Sequence, residues 1–200
     1  LRAVLNRMPG DAKPAGLGTR AAQHVQLLHW ERQADSGLQV LASARIGVFE
    51  SSFFFLPGSL HAAWLHQLRG DRRAAGAAFD SARVLLDSVA RVLPDDWRVR
   101  TARGLALAGL GRRDEALREA HWLEQSLTYR EDAFERPWIA EDRARVLAHA
   151  GESGTALDVI ERLLEKPSFL SVHTLRLDPR WDPIRDHPRF KALLAKRRVG

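Results

Sequence analysis

Cysteine is absent from all 200 residues. The chain therefore has no disulfide framework and no zinc or thiol chemistry that rests on a thiolate, which fits a reducing, cytoplasmic setting. Long apolar runs are lacking too. The longest, "FFFLPG" from Phe53 and "GLALAGLG" from Gly104, fall far short of the roughly 20 residues that span a bilayer, so no membrane role is expected. No basic segment followed by an apolar one opens the chain, as a secretion signal would. Lysine is scarce, with 4 against 27 arginines, so the formal net charge of +6 is an arginine charge. Such an excess can mark a nucleic-acid or anionic-membrane partner. Here acids are interleaved with it, as in "RRDEALREA" and "REDAFERPWIAEDRAR", the pattern of solvated helix faces with i,i+4 pairs.

What the chain does have is punctuation. Three segments share one shape: "HAAWLHQLRGDRRAAGAAFDSA" from His61, "RTARGLALAGLGRRDEALREAHWL" from Arg100, and "DRARVLAHAGESGTALDVIERL" from Asp142. Each is an Ala/Leu-rich run, a glycine followed by polar residues, then a second apolar-periodic run. The glycines are Gly70, Gly111 and Gly151, spaced by 41 and 40 residues, a period that marks an internal repeat. Glycine suits the left-handed end of a helix, and Asp71 is placed to cap the next one. At offsets of five, nine and twelve after each glycine stand Ala75, Phe79 and Ala82; Ala116, Ala120 and Leu123; Ala156, Ile160 and Leu163. That spacing is one helix face, with a small residue where two helices approach closely. The predicted pairs are 55–69/72–92, 98–110/113–127 and 138–150/154–165.

"GDRRAAGAAFDSA", with Ala75, Phe79 and Ala82, resembles the tetratricopeptide (TPR) repeat, and Gly104 stands where that family carries a small packing residue. The early Trp and mid-helix Tyr of the family are missing, the second and third repeats lack the aromatic, and the period is longer by six or seven residues. Over roughly residues 50–195 the chain is similar to the C-terminal TPR region of large bacterial signalling proteins. In those, a serine/threonine kinase, an adenylate cyclase or a winged-helix regulator precedes the repeats. No motif of such a head occurs here: there is no "HRD", no "DFG" and no Gly-rich loop with a strand lysine. The chain starts at Leu1 rather than Met, as a fragment would. The resemblance implies an all-α fold, a right-handed α-solenoid of antiparallel helix pairs with a C-terminal capping helix. Residues 1–52 are expected to hold degenerate N-terminal helices, 53–170 three repeats and 171–200 the cap, all in one continuous solenoid.

At the N-terminal end, "LRAVLNRM" places Leu1, Val4, Leu5 and Met8 on a helix face, like the second helix of a truncated repeat. Residues 19–34 and 38–49 read as a helix pair turning at Asp35–Ser36–Gly37; a strand reading of Leu38, Leu41 and Val48 is set aside on the surrounding pattern. At the other end, Asp178–Pro179 and Asp182–Pro183 read as capping acids before first-turn prolines, with His187–Pro188 opening the last helix. There Phe190, Leu193 and Leu194 face inward and Lys196–Arg197–Arg198 complement the helix dipole, while Trp181 plugs the groove beneath the turns. Such a cap covers the open face of a stack of repeats. A metal or acid–base cluster of Asp178, Asp182, Asp186 and His187 is the weaker reading, because side chains locked into capping are poor general bases.

The pairs His24/His29 and His61/His66 are five apart, not the i,i+4 of two helical ligands, and no "HExxH" occurs. They read as partly buried or groove-lining residues, and the six tryptophans as mostly core. No catalytic residue, metal site or cofactor is expected, and no enzyme. The family's concave positions map onto Leu60, Trp64 and Gln67, then Arg98, Thr101 and Leu105, then Glu141, Arg145 and His149. The lysine-and-asparagine carboxylate clamp of some TPR proteins is absent. The expected function is a non-catalytic protein–protein interaction module. Its ligand would be a protein or peptide carrying acids for Arg98 and Arg145, the preceding domain of its own protein among the candidates. The alternative is an accessory domain of a nucleic-acid-binding or transcription regulator, although nucleic acid is the less favoured partner.

Overall fold

The computed structural model describes residues 14–44, 47–165 and 168–196, so the expected helix at Leu1–Met8 and the basic residues Arg197 and Arg198 lie outside them. By contacts the chain divides after Leu85 into two units, and the division falls within a single helix.

The first unit opens with α1 (Pro14–Trp30) and α2 (Ala34–Ala44), then an antiparallel hairpin of β1 (Val48–Ser51) and β2 (Phe54–Pro57), then α3 (Gly58–Leu68). Helix α4 (Arg72–Val92) begins here. The hairpin corrects an all-helical expectation. "VFESSFFFLP" concentrates aromatic residues that favour a pleated surface, and the Ser51 hydroxyl accepts from the Phe53 amide at 3.1 Å to close the turn. Helix α3 consequently starts at Gly58, after the strand rather than within it. Val25, Ala34 and Leu65 form the local core, with Leu38, Val40, Leu41 and Leu68 packed on them.

The expected turn at Asp35–Ser36–Gly37 is also corrected: those residues lie inside α2. The chain turns earlier, at Arg32, whose φ of 56° is left-handed. Gly37 serves packing, since a Cβ there would sit 2.8 and 2.9 Å from the Leu65 methyls.

The joints between helices share one geometry. At Gly70, Gly111 and Gly151 φ is 74°, 73° and 86°. The glycine amide donates back to Gln67, Ala108 and Ala148, and the next amide donates to His66, Leu107 and Leu147 at 3.0, 2.9 and 2.9 Å. This double bond pattern satisfies the orphan carbonyls at a helix C-terminus. Arg32 does the same without a glycine: its amide donates to His29 and that of Gln33 to Leu28, at 3.0 and 2.8 Å. Counted from Arg32, the five, nine and twelve offsets fall on Gly37, Leu41 and Ala44. The helix pair α1/α2 therefore carries the same register as the later three. Asp71 caps α4 as expected, accepting from the Ala74 amide at 2.9 Å.

The second unit holds the end of α4, then α5 (Trp97–Gly109), α6 (Arg113–Gln125), a short α7 (Leu127–Glu131), α8 (Arg136–His149) and α9 (Ser153–Leu164). Helix α7 interrupts the stretch between the expected second and third pairs; Ser126 caps it, accepting from the Tyr129 amide at 3.2 Å. Helices α5 and α6 pack as a pair, as do α8 and α9, and α8 lies against both α5 and α6. Gly104 permits this: a Cβ there would meet the two Val146 methyls at 3.1 Å and the Glu119 Cβ at 3.2 Å. Ala116, Ala120, Leu123, Ala156 and Ile160 are all essentially inaccessible, as are Ala75, Phe79 and Ala82 on α4 in the first unit.

The C-terminal segment is α10 (Val172–Leu177), a 3-10 turn (Pro179–Ile184) and α11 (Pro188–Lys196). Trp181, Ile184 and Phe190 are fully buried, so Trp181 does fill the interior, whereas Leu193 and Leu194 are only half-buried. Asp178 caps the turn through the Arg180 amide. Asp182 is not a cap: it sits inside the turn and holds Arg185 at 2.6 Å. With prolines at 179 and 183 the segment lacks two amide donors, which favours a tight turn over an α-helix. His187 caps α11 through its ring, Nδ1 accepting from the Arg189 amide at 3.2 Å.

Two substitutions test this register. Arg32→Gly relieves a left-handed arginine and is expected to raise stability by up to about 1 kcal/mol, part of the gain being offset by the unfolded-state freedom of glycine. A lower melting temperature would refute the joint. Ala116→Asp buries an unpaired carboxylate where two helices meet, at an expected loss of about 4 kcal/mol. Unchanged thermal unfolding would show that Ala116 is not at the contact.

Candidate partner-binding surface

The expected concave stripe lies in parts of both units, and apart from the exposed Gln67 its residues are buried or held by the chain's own groups. In the first unit Leu60 and Trp64 are buried and only Gln67 is exposed. Trp64 belongs to a buried aromatic–imidazole cluster: its ring lies 6.2 Å from His29 and 5.5 Å from His61, and His61 meets Phe49 edge-on at 5.1 Å.

In the second unit the two arginines expected to offer forks to a partner are already held. Asp96 caps α5, accepting from the Arg98 amide at 2.9 Å, and the Arg98 side chain folds back on the same carboxylate at 2.6 and 3.0 Å. Asp178 and Arg180 repeat the motif, with an amide bond of 2.9 Å and a side-chain bond of 2.6 Å. Arg145 bonds Glu141, reaches Asp142 at 2.6 Å and Asp178 at 3.9 Å, and lies 5.3 Å over the Trp181 ring. The His149 Nε2 donates to the Arg180 carbonyl at 2.9 Å. Thr101 and Leu105 are each only 3% exposed.

The result is a buried charge cluster that ties the 3-10 turn to α8. Three carboxylates (Glu141, Asp142, Asp178) share two guanidiniums (Arg145, Arg180). Burial pushes the Glu141 and Asp142 carboxyls above their ordinary range despite Arg145. Burial acts likewise on Asp178, but the charge and hydrogen bonds of Arg180, with Arg145 behind them, outweigh it and hold that carboxyl well below its usual range. Burial also pushes His149 down. The alternative acid–base cluster does not assemble: Asp178, Asp182 and Asp186 hold Arg180, Arg185 and Lys191 respectively, and His187 caps a helix.

An open groove of about 790 Å³ runs along α6, lined by Asp95, Asp114, Leu117, Arg118, His121, Trp122, Gln125 and Ser126. Residues 114, 117/118, 121/122 and 125 are spaced as one stripe of a helix, turned away from the core face of Ala116, Ala120 and Leu123. Leu117 and Trp122 are half-buried and supply an apolar floor. Arg100 holds Trp122 in place, its guanidinium 4.8 Å over the ring while bonding Glu119 at 3.1 Å and the Pro94 carbonyl at 2.9 Å. The side chains of Asp95, His121 and Gln125 make no hydrogen bond or ion pair among the described residues. Just before Asp95, Val92 and Leu93 are 78% and 43% exposed. Sequence reasoning missed this surface. The signal was Leu117 and Trp122, apolar residues that fall off the five, nine, twelve face.

No protein-family model matches this chain, and no curated protein and no solved structure matches it. Among the described residues no helix is long and apolar enough to cross a membrane.

The charge cluster makes two opposed predictions. A carboxyl with a raised folded pKa carries a penalty that is absent at low pH, sets in as pH rises through its ordinary value and is complete above its folded one. Glu141→Gln removes that penalty and leaves Arg145 with Asp142 and Asp178, so its melting temperature relative to the parent should climb as pH rises above the ordinary glutamate range. Asp178 stabilises above its ordinary pKa and loses that contribution as pH falls toward its lowered one. Asp178→Asn should cost about 3 kcal/mol at pH 7, the gap narrowing on acidification. Parallel pH profiles for parent and variants would refute the assignment.

Proposed function

We propose that this chain is a non-catalytic protein–protein interaction module built from TPR-like helix pairs. In this reading the pairs stack as a right-handed solenoid, and the module serves a larger bacterial signalling or regulatory protein in the cytoplasm. The repeat part of the reading is supported by four joints of one geometry with the small residue at the same offset: Gly37, Ala75, Ala116 and Ala156. The binding part is carried by one contrast. Along the expected concave stripe of the second unit the arginines are engaged by the chain's own carboxylates, whereas the α6 groove joins an apolar floor to a rim in which Asp95, His121 and Gln125 make no hydrogen bond or ion pair among the described residues. Surfaces of that composition, apolar at the centre and polar at the edge, are what partners bury.

The experiment is site-specific photo-crosslinking in the native cells. A photoreactive residue at His121 is expected to capture a protein partner, and Leu117→Asp in the same chain to abolish the product while the melting curve is retained. Capture from Gln67 and not from His121 would move the site to the concave stripe. Binding of nucleic acid with a steep log–log salt dependence would replace the protein-partner reading altogether.

A further inference from the structure

We infer that the partner of the α6 groove is a short amphipathic helix that presents basic residues. This rests on the α6 groove being the binding surface, and adds the chemistry of what fills it. The stripe from Asp114 to Gln125 spans eleven residue steps, about 16 Å of helix at 1.5 Å per residue, which matches three turns of a partner lying alongside. Leu117 and Trp122 on the floor call for apolar anchors at i, i+3 or i+4, the pattern of a helix seated in a groove.

The sign of the charge follows from which groups are already engaged. Arg118, the one arginine in the lining, reaches Glu115 at 3.8 Å. Arg100, beside Trp122, is held by Glu119 and the Pro94 carbonyl. Arg118 and Asp114 are each engaged only at the limit of ion-pair distance, so the sign rests on the balance of the lining, two carboxylates against one arginine. Asp95 has no ionic or hydrogen-bonding partner among the described residues, and Asp114 has only its chain neighbour Arg113 at 3.7 Å, with its own side chain 84% exposed. On a chain of net charge +6, two such carboxylates flanking an apolar floor select a cation at short range. A guanidinium, which pairs bidentately with a carboxylate, satisfies them best. The long-range field of the protein opposes that same partner, so binding depends on these acids rather than on non-specific attraction.

The test uses two fluorescein-labelled 14-residue helical peptides, one of Leu and Arg and one of Leu and Glu in the same pattern, titrated with the full chain by anisotropy. The Leu/Arg peptide is expected to bind at least tenfold more tightly. Asp95→Asn with Asp114→Asn should erase that preference, and Glu131→Gln with Glu165→Gln, two exposed acids outside the groove lining, should leave it intact. Equal or tighter binding of the Leu/Glu peptide, or a preference that survives loss of Asp95 and Asp114, overturns the inference. Leu117→Asp separates the two levels. If it releases both peptides while the charge variants change nothing, the groove is the site and its basic partner is wrong. If it releases neither, the groove itself is not the site.

Discussion

Helix α5 lies against α6 and α8 at once with no side chain at residue 104 between them. Two valine methyls and the Glu119 Cβ stand within 3.2 Å of where a Cβ would be, so a larger residue would require these neighbours to give by a few tenths of an ångström. Both features of the second unit hang on that approach. Helix α8 carries Glu141, Asp142 and Arg145 to the 3-10 turn, and α6 turns Leu117 and Trp122 outward while Ala116, Ala120 and Leu123 face in. Moving α8 off α5 would unpack the first; moving α6 would close or splay the second.

The helical framework was legible because its punctuation is chemical. Glycine is the residue that takes a left-handed helix end without a steric penalty, so Gly70, Gly111 and Gly151 announced three joints, and the offsets from them located the buried face. The fourth joint was hidden by the same logic. Arg32 adopts the left-handed conformation at a steric cost, and the nearby Gly37 drew the turn to itself although its role is to admit Leu65. The hairpin was missed because its two ends were read as helix, 38–49 on one side and 55–69 on the other, and a strand through Val48 was set aside on the surrounding helical pattern. The site was less legible still. Helical spacing says which residues share a face, but it does not say whether an arginine on that face is engaged. That depends on the two-residue step from Asp96 to Arg98 and from Asp178 to Arg180, in which a capping carboxylate also captures the side chain two positions on.

This use of arginine explains the composition. A guanidinium bonds in several directions from one plane and is less strongly hydrated than an ammonium, so it tolerates burial where lysine would not. Arg103 joins Asp87 to Glu119, and Arg143, itself 9% exposed, holds Glu124. A chain with 27 arginines and 25 acids is thereby cross-linked by its own charges. Individual exposed pairs contribute little; the buried ones fix which helix faces which.

A self-neutralised interior changes where recognition can occur. A partner that competed for Arg145 would have to displace Glu141 and Asp142, leaving two buried carboxylates to share Arg180 with Asp178, at a cost of several kcal/mol. No acidic ligand recovers that by supplying one carboxylate in exchange for two. The proposed α6 groove carries no such barrier, because the side chains of Asp95, His121 and Gln125 make no hydrogen bond or ion pair among the described residues. In the proposed reading, specificity comes from the held position of Trp122 beneath Arg100, which fixes the apolar floor, and from Asp95 and Asp114, which line the same groove as Arg118.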